Sequence, residues 1–92
     1  MRFEPWTRAS FERAEREGKY LLVSVQTSWC HWCHVMNDVT FRDPEVVAVL
    51  ERHFVVVKVD ADARPDLAER YARWGWPATG LLTPDASPLL NL

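Results

Sequence analysis

Both cysteines of the chain, two of its three histidines and two of its five tryptophans fall within nine residues, Ser28-Trp29-Cys30-His31-Trp32-Cys33-His34-Val35-Met36. Two thiols three residues apart can do thiol–disulfide exchange, ligate a metal, attach a haem through a C-x-x-C-H pattern, or simply fill a core. A haem of that type belongs to an exported, mostly helical protein with a second axial ligand. Zinc could draw on Cys30, Cys33 and His34 or His31, but a tetrahedral structural site wants a fourth ligand, and His53 is the one histidine left outside the stretch. Redox chemistry makes the fewest further demands: a close pair and a means of charging one member of it.

That means is a helix start. A thiol that leaves a strand and enters the first turn of a helix meets unpaired backbone N–H groups and the positive end of the helix dipole, and both stabilise a thiolate. At an unperturbed pKa of ~8.5 only about 3% of a thiol is ionised at pH 7; a value of roughly 7 or below makes half or more of it nucleophilic. Cys30 is expected in that place. Cys33, one turn on, shares its side of the helix and can resolve a mixed disulfide formed at Cys30. His31, when protonated, would favour the thiolate further and make the disulfide more oxidising, and Trp32 offers a flat apolar surface to a partner.

The flanking sequence supplies the elements. Tyr20–Gln26, "YLLVSVQ", is a mostly apolar run of β-formers, the mark of a strand buried on both faces, and it leads straight into the cysteines. Before it, "TRASFERAEREGK" predicts a short amphipathic helix with Thr7 or Ser10 as cap and Gly18 as stop. After the motif, "FRDPEVVAVLERHF" restarts a helix with Asp43 as cap and Pro44 in the first turn. "VVVKVD" (55–60) is a second strand, and "RPDLAERYARWG" a helix from Pro65 to Gly75, with Asp62 expected to cap it. "ATGLLT" (78–83) and "SPLLNL" (87–92) are strands joined by a tight "PD" turn. Strands separated by helices imply parallel pairing and the last two an antiparallel hairpin, so the expected architecture is a small mixed sheet with helices packed against it.

Ninety-two residues make a single domain, 1–92. Eleven basic residues against thirteen acidic give a net charge of −2, which argues against a nucleic-acid or anionic-membrane surface. The N-terminus has no apolar stretch suited to a signal peptide, and no run is long enough to cross a membrane. A cytoplasmic protein is expected, and there a lone close thiol pair is catalytic or metal-binding rather than a structural staple.

"LLVSVQTSWCHWC", followed some forty residues later by "YARWGWPATGLLTPDASPL", is similar to the thioredoxin superfamily across nearly the whole chain. More narrowly, "CHWCHVM", "VKVDADARPDL" and "GWP…LTPD" resemble the N-terminal thioredoxin-like domain of the spermatogenesis-associated protein family, whose larger members add an epimerase-like α/α barrel. The resemblance implies a three-layer α/β/α fold on a mixed four-stranded sheet. It implies thiol–disulfide exchange with a protein or peptide substrate at Cys30 and Cys33, with no cofactor and no metal. It implies that Pro77 is cis, leaving the backbone of Trp76 free to bind substrate as an added strand, with Trp29 shielding Cys30 at the rim.

Two departures stand out. Thioredoxins place a buried acid six residues before the first cysteine to relay a proton to the resolving thiol; here that residue is Ser24. Thioredoxins also add a final helix over the sheet; here it is missing, so either Leu92 is a truncation point or another surface, such as a second copy in a homodimer, covers that face. His34 is a helix-face residue that could tune the pair, Val35 and Met36 are expected in the core with Trp74, and His53 at a solvated helix end. A reading from a different class is a non-catalytic interaction module that holds a partner on Trp29, Trp32 and Trp76.

Overall fold

Thr7 opens the first helix, α1 (Arg8–Glu17), its side chain accepting the N–H of Ser10. Gly18 closes it at φ 66°, a left-handed conformation that costs glycine nothing, and Lys19 N–H returns to Ala14 O at 2.8 Å. The computed structural model describes residues 2–72, 78–85 and 88–91, the last four as backbone. Strand β1 (Tyr20–Gln26) follows, and every residue from Leu21 to Gln26 is buried, as its continuous apolar pattern requires.

The motif helix α2 (His31–Asp38) leads through a short 3-10 turn, Thr40–Arg42, into α3 (Pro44–His53). Asp43 caps α3, accepting from the N–H groups of Glu45 and Val46, with Pro44 in the first turn where its missing N–H costs nothing. Strand β2 (Phe54–Asp60) begins one residue earlier than the sequence pattern indicates. Helix α4 (Pro65–Tyr71), β3 (Ala78–Leu82) and β4 (Pro88–Asn91) complete the chain. Asp62 is not the cap of α4: Arg64 holds the cap position without a side-chain bond to the helix backbone, while Asp60 accepts the N–H of Asp62 in a turn at the strand end.

The sheet order is β2-β1-β3-β4. β1 and β2 are parallel and β3 and β4 antiparallel, as expected, but β3 also runs antiparallel to β1. The connection through α4 therefore carries the chain past β1 and returns it in the opposite sense, so the parallel rule for helix-separated strands holds for one crossover and fails for the next. Glu4 adds a single bridge outside β2, with Lys58 N–H on Glu4 O at 3.0 Å, which covers part of that sheet edge.

Strand alternation sorts the side chains into two faces. Leu21, Val23, Val25, Val55, Val57 and Val59 form the main core with Ala14 of α1 and Leu67 and Tyr71 of α4. Leu22, Ser24, Gln26 and Val56 point to the other face, where α2 and α3 lie. The result is three layers, helices on either side of a mixed four-stranded sheet.

Candidate functional site

Cys30 does not sit inside the first turn of α2 but caps it. It is extended, at φ −85° and ψ 111°, and its sulfur accepts the backbone N–H of Cys33 at 3.3 Å. This is the place and the bond that a capping Ser or Asp normally supplies, here taken by a group that can carry a charge. Both thiols are free. Both are buried, Cys30 at 7% exposure and Cys33 more completely at 1%.

The environments push the two thiols apart. Cys30 is held below the ordinary thiol value, first by a hydrogen bond from the Cys33 side chain, then by the N–H groups of Cys33 and Trp32 and by the side chain of Thr27, against an opposing desolvation. Cys33 is pushed up to about 11, chiefly by burial and then by its bond and charge interaction with Cys30; the N–H of Thr27 and the charge of Lys58 pull the other way. One thiol is prepared to ionise and its partner to stay protonated, the division that nucleophile and resolver require.

The loop before α2 is braced by His34. Its ring Nε2 lies 2.7 Å from the carbonyl oxygen of Ser28; because a carbonyl only accepts, that nitrogen carries the proton. His31 and Trp32 are both exposed, their rings in an edge-to-face contact with centroids 5.3 Å apart. Trp29 is 66% exposed and Trp32 64%, so two indoles close to Cys30 in sequence face solvent. Val35 and Met36 are half-buried rather than core, Cys33 being the residue of α2 that is buried. The expected roles of Trp74, Trp76 and Pro77 lie outside the described residues.

Ser24 is fully buried and opposite Lys58 in the β1–β2 register. Its hydroxyl accepts from Gln26 Nε2 at 2.9 Å, and the Gln26 amide is paired in both directions with Asn37 of α2, each bond 2.9 Å. A neutral, mutually satisfied amide pair thus occupies the space beneath the motif, and none of its members is a carboxylate. Lys58 Nζ stands 5.3 Å from the centroid of the Phe3 ring and is the cation acting on Cys33. A cavity of about 530 Å³ opens alongside, lined by Phe3, Gln26, Thr27, His34 and Lys58 among others.

Gln26, Thr27, Asn37 and Lys58 are site neighbours that sequence reasoning missed. Gln26 left a signal, a polar residue ending a strand otherwise read as buried; Asn37, one turn beyond Cys33, left a weaker one. Thr27 left none. Its Oγ1 is buried without a hydrogen-bond partner of normal geometry, at 4% residue exposure, which typically costs about 1–3 kcal/mol. Among the described residues no group of three or more His, Cys, Asp or Glu is arranged to hold a metal ion.

The whole chain, residues 1–92, matches the family described as Thioredox_DsbH, protein of unknown function, DUF255. Human spermatogenesis-associated protein 20 is 37% identical over 95 residues, which cover 95% of this chain but 12% of that protein, so the chain spans about an eighth of its relative's length. A thioredoxin from Thermus thermophilus superposes with a TM-score of 0.83 at 30% identity, covering 100% of this chain and 74% of the other. A putative disulphide-isomerase from Bacteroides thetaiotaomicron gives 0.86 at 27% identity, covering 100% and 78%.

Proposed function

From the premise that the chain belongs to the DsbH-like family of the thioredoxin superfamily, we propose that it is a thiol–disulfide oxidoreductase acting on protein or peptide substrates. The observation that carries this reading is the cap itself: a sulfur at the start of α2, receiving the N–H of its own resolving partner. The similar structures titled thioredoxin and putative disulphide-isomerase support the same chemistry.

In the reductive direction the Cys30 thiolate attacks one sulfur of a substrate disulfide. The substrate S–S bond breaks, a mixed disulfide forms at Cys30, and one substrate sulfur leaves as thiolate and takes up a proton. Cys33 then gives up its proton and attacks Cys30 Sγ, forming the Cys30–Cys33 disulfide and releasing the second substrate sulfur. Two electrons pass to the substrate, and a dithiol donor restores the pair; oxidation of a substrate dithiol is the same sequence reversed.

The second step gains from the first. Two of the influences that raise Cys33 come from Cys30 itself, its hydrogen bond and its charge, and both are lost once Cys30 is tied up in a mixed disulfide. Burial remains, opposed by Lys58. With Ser24 in place of an acid, the proton of Cys33 has no carboxylate among the described strand neighbours to receive it, and resolution is expected to be slower than attack.

In this reading residues 1–92 act as one domain, in the cytoplasm, with Trp29, Trp32 and Trp76 contacting substrate beside Pro77 and His31 adding positive charge when protonated. Reduction of insulin disulfides by dithiothreitol tests it: the wild-type chain accelerates the reaction and Cys30→Ser does not. The two exposed indoles favour a second reading, an interaction module that needs no thiol. A Cys30→Ser/Cys33→Ser variant that captures the same partners as wild type, in a protein inactive on insulin, would establish that reading instead.

A further inference from the structure

The loop between β1 and α2 holds one buried hydroxyl that none of the hydrogen bonds above accounts for. Thr27 is 4% exposed, and its hydroxyl has no partner of normal geometry. Buried hydroxyls are nearly always hydrogen-bonded, so an exception at a site of chemistry calls for a state in which the bond is made. The backbone narrows where that state lies: the Cys30 N–H returns to Thr27 O at 3.4 Å, a turn that ties Thr27 to the residue carrying the capping sulfur.

We propose that Thr27 is a positioning residue for the nucleophile, its Oγ1–H donating to Cys30 Sγ when that sulfur is a thiolate and losing the bond when Cys30 is in a disulfide. The inference rests on the oxidoreductase reading and deepens it. A neutral thiol is a weak acceptor and a thiolate a strong one, so the hydroxyl gains its partner only on ionisation. It therefore stabilises the reduced, charged form over the oxidised one and makes the disulfide a better oxidant. The contribution of Thr27 to the lowered Cys30 value agrees in sign. The other groups acting on the sulfur are the Cys33 thiol and the N–H groups of Cys33 and Trp32; His31 and His34 lie on the same helix, and Lys58 of β2 acts on Cys33.

Thr27→Val keeps the shape and removes the donor; Thr27→Ser keeps the donor. The measurements are the pH midpoint of Cys30 alkylation, the equilibrium with glutathione, and the melting temperature. Thr27→Val is expected to move the midpoint upward and the equilibrium constant about tenfold toward the disulfide form, about 30 mV more reducing, while its melting temperature stays or rises because an unsatisfied buried hydroxyl is gone. Thr27→Ser is expected to keep the wild-type midpoint and equilibrium. A Thr27→Val protein with both redox values unchanged overturns the proposal and leaves the oxidoreductase reading standing. So does a Thr27→Ser protein that shifts as far as Thr27→Val, which would mark a packing effect. If Thr27→Val does not fold, Thr27→Ala against Thr27→Ser makes the same comparison. A wild-type Cys30 that titrates as a free thiol overturns the reading beneath and this proposal with it.

Discussion

The backbone N–H of Cys33 points at the sulfur of Cys30 across 3.3 Å, so in the proposed reaction the resolving residue would also help to charge the attacking one. The two thiols are not a symmetric pair with one chosen by exposure. One turn of helix gives Cys30 the role of cap and Cys33 the role of donor, and burial then locks the difference, at 7% against 1% exposure. Exchanging the cysteines one at a time should therefore give opposite phenotypes.

Cys30→Ser is expected to reduce turnover of a disulfide substrate to the uncatalysed level. Cys33→Ser, with attack intact and resolution gone, should accumulate mixed disulfides. Non-reducing electrophoresis with mass spectrometry checks this, the adduct being expected on Cys30 alone.

Resolution should be the step that Ser24 and Lys58 control. Ser24→Asp places a carboxylate in a fully buried position and is expected to cost several kcal/mol of stability, while speeding decay of the mixed disulfide at least about tenfold by supplying a base. Lys58→Met, which removes the charge that favours a Cys33 thiolate, should slow that decay severalfold. Stopped-flow measurement of the intermediate separates both effects from attack.

The amide pair beneath the motif should behave as a unit. Asn37→Leu leaves one side of the buried Gln26 amide unpaired and is expected to destabilise the protein by about 1–3 kcal/mol. Gln26→Leu combined with Asn37→Leu should cost less than the sum of the single changes, since neither amide is left without the other and only the Ser24 hydroxyl loses its donor. Urea denaturation of the four proteins closes the cycle.

Most of what positions the site was legible in the sequence. Thr7, Gly18, Asp43 and Pro44 mark helix ends through local chemistry, and the apolar runs over β1 and β2 announce buried strands; these signals need no tertiary information. The antiparallel entry of β3 beside β1 left no trace, because the sense of a crossover is decided by the sheet and not by the residues of α4. The cap of α4 was misread for a local reason: Asp60 captures the N–H of Asp62, so the acid expected to cap the helix is held in the preceding turn. At the site, residue type and spacing singled out the dithiol, and the resemblance to thioredoxins the absent acid at Ser24. The Gln26–Asn37 pair joins residues eleven apart on a strand and a helix, and it becomes visible only once those elements are packed.

The opposite pKa shifts give the reduced protein a characteristic pH dependence. Cys30, lowered on folding, contributes stability that is fully present above the ordinary thiol value near 9 and is lost as pH falls through its folded value. Cys33, raised on folding, contributes stability that is fully present below about 9 and is lost as pH rises through about 11. The stability of the reduced wild type, less that of Cys30→Ser/Cys33→Ser, should therefore peak near pH 9 and fall on either side. Denaturation of both proteins under reducing conditions from pH 5 to 11 checks the shape.

The rate at which Cys30 is alkylated as a function of pH, measured in a Cys33→Ala background and in wild type, tests the central claim most directly. The wild-type midpoint is expected below the free-thiol value of ~8.5, and loss of the Cys33 thiol should raise it while leaving the backbone N–H contribution in place. A wild-type midpoint at or above that free-thiol value would contradict a thiolate held at the start of α2.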